Sequence, residues 1–427
     1  MTVAFVVAVF AVVYVLIATE KVHRTLAALV GAGVVVAVGI VGADDIFYSE
    51  DTGIDWNVIF LLFGMMVIVS VLRGTGVFEY VAIWAAKRAK GEPFRVMVLL
   101  CLITAGASAG LDNVTTVLLV APVTILVCQR IGVTPVPYLI AEALASNIGG
   151  TATLIGDPPN IIIASRADLT FNDFLAHLTP IILVALVVFL VLSRVLFRHA
   201  FEADPERVRE VMRLNERDAI EDKPLLIRCL IVLGIVLVGF VLHTALDLEP
   251  SIIALLGAGV LVLVTRVGSE RYLADVEWDS LMFFAGLFIL VGALVKVGVI
   301  EHIAAALTDV AGGSLSVAVF TLLFGSAVLS AFIDNIPYVA TMAPVVADLV
   351  NGTGPLAGEQ SLWWALALGA DLGGNATAIG ASANVVVIGI AKRNGYPISF
   401  WEFTKYGSVV AVATVLTCVP YMWLRYL

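Results

Sequence analysis

Long apolar runs divided by short polar stretches fill nearly the whole chain. The runs have the length of membrane-spanning helices, for which about 20 residues are needed. In the first half they lie near residues 4–18, 25–42, 57–72, 138–165 and 178–197. In the second they lie near 226–244, 250–266, 279–295, 362–390 and 405–424. Two further stretches, 94–130 and 315–350, have polar centres and read as re-entrant hairpins. The arm over residues 97–110 reaches only about 21 Å as a helix, short of a hydrocarbon core of roughly 30 Å. Segments 77–90 and 299–311 read as amphipathic helices lying at the interface.

Two of the runs are interrupted. "GGTATLIGDPPN" (149–160) and "GGNATAIGASAN" (373–384) each hold Gly-Gly and a further Gly, and the first adds Pro158–Pro159. Proline lacks an N–H and clashes with the preceding turn, so the helix stops and restarts. Freed backbone groups persist at membrane depth only where they line a polar cavity. A restarting half-helix presents N–H groups and the positive end of its dipole to that cavity. The breaks therefore predict a binding site.

These interruptions belong to an internal duplication. Trp56, Gly64, Gly76 and Glu79 recur as Trp278, Gly286, Gly298 and Glu301, at a constant offset (278 − 56 = 222). "SAGLDNVTTVLLVAP" (108–122) matches "SAFIDNIPYVATMAP" (330–344), and "LVGAGVVV" (29–36) matches "LLGAGVLV" (255–262). An odd number of crossings per copy places the copies in opposite orientations. With the N-terminus outside, all of the 24 Lys and Arg except Arg166, Lys296 and Arg425 fall inside, as the positive-inside rule requires. The expected fold is an all-α polytopic membrane protein of two inverted repeats. It has about 10 transmembrane helices, two re-entrant hairpins and a broken helix in each half. Residues 1–198 form the first repeat, 199–224 a charged cytoplasmic linker and 225–427 the second repeat. Both termini are expected outside, in the plasma (inner) membrane.

Composition agrees. The hydrophobic fraction is 61% and the charged fraction 14%, against about 45–50% and about 25% in soluble domains, and mean hydropathy is +1.04. The net charge of −10 says little about partners in such a chain, and nothing suggests a nucleic-acid partner. Cys101, Cys128, Cys229 and Cys418 form no CxxC and read as small buried hydrophobes. Residues 4–18 lack the basic flank and cleavage site of a signal peptide. No Walker motif, nucleophile elbow or HExxH is present, so neither an enzyme nor a cofactor is expected.

Carboxylates at membrane depth are functional candidates by default. Asp112 and Asp334 repeat at the two hairpin tips. Asp371 aligns with Asn147, so its charge exists in one half only. These three are the expected proton-coupling groups. Asp157 aligns with Ala381 and reads equally as a functional carboxylate and as a cap for the helix restarting at Pro158. Glu142 faces a neighbouring helix or the cytoplasm, and Asp348 lies near the outer end. The neutral polar set expected to bind substrate or ion comprises Asn113, Thr115, Thr116, Thr151, Thr153, Asn160, Asn335, Asn375, Thr377 and Asn384. No metal site is expected.

"LDNVTTVLLVAPVTI" followed by "NIGGTATLIGDPPNIII" resembles the ArsB/P-protein group of the ion transporter superfamily, over essentially the full chain. That resemblance implies two inverted halves whose hairpins and broken helices meet near the midplane. It further implies arsenite or antimonite efflux by proton antiport, with Asp112, Asp334 and Asp371 handling the proton or the substrate by alternating access. Arsenite permeases of this kind can associate with a soluble ATPase. A sodium/proton antiporter and a sodium-coupled anion symporter are the alternatives. Dicarboxylate symporters of the superfamily carry Ser-Asn-Thr at each tip, where this chain has Asp112–Asn113 and Asp334–Asn335. Expected partners are a small inorganic solute, H+ or Na+, and membrane lipid, with a homodimer left open.

Overall fold

The computed structural model describes residues 2–19, 21–49, 51–201, 206, 216–266 and 268–427. Regular structure among these residues is entirely helical. The main helices form two matching series. The first is α1 (Thr2–Ala18), α2 (Arg24–Ala37), α3 (Trp56–Arg73), α4 (Val77–Arg88), α5 (Pro93–Gly110), α6 (Asn113–Ile131), α7 (Pro135–Gly150), α8 (Pro158–Ala167) and α9 (Thr179–Leu196). The second is α10 (Lys223–Leu246), α11 (Pro250–Thr265), α12 (Trp278–Lys296), α13 (Val299–Ala311), α14 (Leu315–Ser330), α15 (Asn335–Asn351), α16 (Ser361–Gly373), α17 (Ser382–Arg393) and α18 (Phe400–Tyr426). Among the described residues, seven helices are long and apolar enough to cross a bilayer, three more are shorter and apolar, and α13 and α14 form a pair bent by 119°. Helices α9 and α10 expose Val187, Val191, Ile231 and Ile235, as lipid-facing helices do.

The halves interlock. Helix α2 packs on α12 of the other half, and α11 packs on α3. The repeated glycines explain how. A Cβ on Gly64 would lie 2.7 Å from the Ala254 carbonyl carbon, and one on Gly286 would lie 3.0 Å from that of Ala28. Only a missing side chain lets these backbones cross so closely. Gly76 and Gly298 serve a different need: both are left-handed (φ 76° and 77°), a conformation glycine adopts without steric cost. Each turns the chain from a spanning helix into α4 or α13.

Helices α5 to α9 and α14 to α18 pack mainly on one another around α7 and α16. Every residue of α16 is buried, as is α7 from Tyr138 onward. A helix apolar all round is a buried one, and here it shields the broken backbone from lipid. The breaks fall where expected, between Gly150 and Pro158 and between Gly373 and Ser382.

One expectation needs correction. Arm α5 begins at Pro93 and has 18 residues, about 27 Å at 1.5 Å per residue. The first hairpin is therefore not too short to cross. Its re-entrant character rests instead on where the tip docks. The Asn113 N–H donates to the Gly156 carbonyl at 2.9 Å, inside the first break, and the Asn335 N–H to that of Gly380 at 3.1 Å, inside the second. Ser108 Oγ donates to the Ser146 carbonyl at 2.8 Å, and Ser330 Oγ to that of Ala370 at 2.6 Å. Each hairpin is thus stitched to the broken helix of its own half.

Of the expected linker 199–224, residues 202–205 and 207–215 lie outside the described residues. Its end is anchored: the Glu221 N–H donates to the Thr75 carbonyl at 3.0 Å, and Glu216 pairs with Lys87. That ammonium holds the half-buried Glu216 carboxyl below its usual range. The attachment is present at neutral pH and is lost as pH falls through the lowered value.

Candidate functional site

The two hairpin tips converge on one carboxylate, Asp157. Asn113 Nδ2 donates to Asp157 Oδ2 at 2.8 Å, and Asn335 Nδ2 reaches both carboxylate oxygens at 3.3 Å. Asp157 is 1% exposed. Its place before Pro158–Pro159 explains its freedom. An N-cap carboxylate normally takes the N–H of the second or third helical residue. The two prolines supply no N–H, and that of Asn160 goes to the Asp157 main-chain carbonyl at 3.0 Å. The side chain makes no cap hydrogen bond and turns to the tips instead. The capping reading of Asp157 is therefore corrected. The sequence carried the signal, because an Asp followed by two prolines has little to cap.

Asp112 and Asp334 do cap their helices. Asp112 Oδ1 accepts from the Thr115 N–H at 2.8 Å, and Asp334 Oδ1 from the Ile336 N–H at 3.1 Å. Their other surroundings differ. Asp334 pairs with Arg24 at 3.5 Å and accepts from Ser382 Oγ at 2.6 Å. Arg24 also contacts Ser382 and lies over the Phe283 ring at 5.2 Å. Asp112 has no such basic partner among the described residues. A cavity of 320 Å³ lies beside the Arg24–Asp334 pair, with His23, Phe332, Ile379 and Ser382 on its walls.

Asp371 is fully buried. Neither carboxylate oxygen meets an aligned donor; Thr151 Oγ1 faces it but gives its hydrogen to the Asn147 carbonyl at 2.8 Å. Asp371, Asp334 and Asp112 are all close enough to feel the charge of Asp157. Four carboxylates thus share the centre, and Arg24 is the one basic group that contacts them among the described residues.

Amides join the halves. Asn113 Nδ2 also donates to Asn147 Oδ1 at 3.1 Å, and Asn147 Nδ2 donates to Asn375 Oδ1 at 3.0 Å and Asn384 Oδ1 at 2.9 Å. Asn160 Nδ2 satisfies the Thr151 and Thr153 carbonyls, and Asn384 Nδ2 those of Gly374 and Thr377. Thr153 and Thr377 hydroxyls tie each break to the hairpin at Ala109 and Ala331. Asn160, Thr153 and Thr377 are therefore occupied in holding the broken backbone. The Thr116 hydroxyl and Asn375 Nδ2 are buried without partners, and the Thr115 hydroxyl lies beside the Asp112 carboxylate.

The expectation that a restarting half-helix offers free N–H groups is corrected at α8, and the starts of the hairpin arms α6 and α15 are occupied as well. At α6 and α15 the first N–H groups go to Gly156, Gly380 and the capping Asp side chains, and α8 begins with two prolines. Arg24, counted in the sequence only as an inside charge, and Asn147, noted only as the counterpart of Asp371, are site residues that sequence reasoning missed.

Residues 14–369 match the model of the citrate transporter family. The chain belongs to that family. It is a membrane transporter, like its relatives, and not an enzyme. Similar members include an uncharacterized transporter of Mycobacterium tuberculosis, 57% identical over 421 residues and 98% of each chain. The P protein of Homo sapiens is 35% identical over 97% of this chain and 59% of its own length. The YdaH transporter of Alcanivorax borkumensis shares the fold, with a TM-score of 0.54 at 17% identity, covering 85% of this chain and 84% of that one. The family match and the P protein support the superfamily-level reading.

Removing the guanidinium isolates Asp334 within this transporter site. Arg24→Gln is expected to slow transport about tenfold or more, a change that needs only about 1.4 kcal/mol. Arg24→Lys should recover part of the rate, because it keeps the charge but not the second guanidinium nitrogen, which donates to Ser280 Oγ at 3.3 Å. Initial rates in proteoliposomes check both.

Proposed function

We propose that the protein is a proton-coupled secondary transporter that exchanges H+ for a small, neutral, hydroxylated solute, with arsenous acid as the first candidate. The carrying observation is the charge balance of the centre. Four carboxylates converge there with one contacting guanidinium, so a proton or cation has to supply the missing positive charge. The same oxygens and amides accept hydrogen bonds from hydroxyl groups, which arsenous acid carries. The resemblance to arsenite permeases supports the same reading.

A free citrate anion suits this centre poorly. It would face Asp112, Asp157, Asp334 and Asp371, and the half-helix N–H groups that would offset this repulsion are taken at three of four starts. The second reading is sodium/proton exchange, favoured by the oxygen-rich cluster of Asp157 and the asparagines. In the proposed orientation both termini face outside, and the Arg24 cavity faces the cytoplasm.

Proteoliposomes with an imposed pH gradient test this reading. Arsenite, sodium and citrate are added separately while proton flux is followed. Arsenite-dependent proton flux that disappears in Asp157→Asn is the expected result. Flux with sodium alone, or with citrate and not arsenite, would overturn it.

A further inference from the structure

Behind the first hairpin lies a second polar island that the central site does not use. Glu142 sits on α7, seven residues from its start, or about 10 Å along the helix, and is 1% exposed. Thr124 of α6 donates to its Oε1, while Oε2 has no partner. Thr104 of α5 is fully buried, and its hydroxyl is also unpartnered. Helices α5 and α7 run parallel, and Ser108 contacts Ser146 across them.

The other half shows what this place holds when it is merely packed. Glu142, Thr124, Cys101 and Cys128 correspond to Leu366, Val346, Leu323 and Val350, all buried. The fold thus accommodates an apolar filling here. An intramembrane carboxylate costs about 2.5–3.5 kcal/mol to insert, so its presence in one copy alone calls for a use.

We infer that Glu142 is a proton-binding site, separate from the central carboxylates, on the path between them and the start of α7 at Pro135. A proton on Oε2 removes an unpaired charge from this buried place, where Thr124 alone hydrogen-bonds the carboxylate. A sodium ion fits worse, because the surroundings supply one threonine hydroxyl and two thiols rather than a shell of oxygens. The titratable groups facing Glu142 are Cys101 from α5 and Cys128 from α6; Tyr138, one turn earlier on α7, gives its hydroxyl hydrogen to the Pro93 carbonyl at 3.0 Å. One turn further along, Ser146 Oγ donates to the Asn113 carbonyl at 2.9 Å, so a polar row leads from Glu142 to the amides on Asp157. This assignment deepens the proton-coupled reading above, but its first test does not depend on it.

Infrared titration of the full-length protein in detergent, without any transported solute, provides that test. The wild type should show a carboxylic acid C=O band that fades as pH is raised, with one component missing in Glu142→Gln. Thr124→Val should shift that component by removing the hydroxyl that donates to Oε1. A Glu142→Gln spectrum identical to wild type at every pH would overturn the assignment, as would a Glu142 component that never titrates. The second arm uses proteoliposomes. If the proton on Glu142 is one of those transported, Glu142→Gln lowers the solute gradient sustained by one pH unit about tenfold. An unchanged gradient removes Glu142 from coupling. Absence of any proton-driven transport in the wild type counts against the proposed function and leaves the infrared result standing.

Discussion

Asp157→Asn is expected to abolish transport while leaving the protein folded. The carboxylate accepts from an amide of each hairpin tip, Asn113 at 2.8 Å and Asn335 at 3.3 Å. An asparagine keeps one acceptor oxygen for them but replaces the other with a donor, and it neither carries charge nor takes up a proton. Proton-coupled flux should fall by more than about a hundredfold, which corresponds to roughly 2.7 kcal/mol. Asp157→Ala goes further, because it leaves two buried amides without their shared acceptor, at about 1–3 kcal/mol each. The alanine variant should therefore lose both flux and several degrees of melting temperature, and the asparagine variant mainly flux. Flux in proteoliposomes and thermal unfolding in detergent separate the two. An Asp157→Asn protein that pumps protons at the wild-type rate would remove Asp157 from the mechanism.

Gly149→Ala is expected to produce a large structural defect beside the central site from a single methyl group. A Cβ there would lie 2.2 Å from the Ala105 carbonyl oxygen and 2.5 Å from its Cα. Both contacts are backbone, so no side-chain rotation relieves them, and α5 must move off α7. Overpacking of this kind costs about 1–3 kcal/mol or more. It would also shift the Ser108–Ser146 stitch and carry the Asn113 tip away from Asp157. Gly373→Ala repeats the experiment in the other half, where the Ala327 Cα would be 2.4 Å away. Gly106, on the same arm α5, has nothing within 4 Å of a built Cβ. Gly106→Ala should leave stability unchanged or raise it by about 0.5–1 kcal/mol. Melting temperatures of the three variants decide the matter; a Gly149→Ala protein as stable as wild type would show that the arm yields easily.

Much of this architecture was legible in the sequence because lipid restricts what a chain can do. Apolar runs, the duplication and the Gly-Gly and Pro-Pro breaks each have few structural meanings at membrane depth. The hairpins were located correctly but partly for a wrong reason: the arm was taken to begin near residue 97, whereas Pro93 at its first turn starts it earlier. The site was legible as a set of residue types and not as a wiring diagram. Asp112 and Asp334 stood out by repetition, yet repetition marks what both halves need, and both halves need a capped half-helix. Asp157, Arg24 and Glu142 each occur in one half only, so repetition did not mark them. Arg24 was further hidden by distance along the chain, since its partner Asp334 lies in the other half.

The crossed packing of α2 on α12 and α11 on α3 has a consequence for biogenesis. When the first 200 or so residues have left the ribosome, the groove beside Gly64 and the ridge at Ala28 still lack their complements, which are encoded beyond residue 250. The early half must wait in the bilayer with those faces provisionally covered by lipid or by an insertion chaperone. Native assembly then completes only when α11 and α12 of the late half thread in from the opposite direction and close on the helices made first.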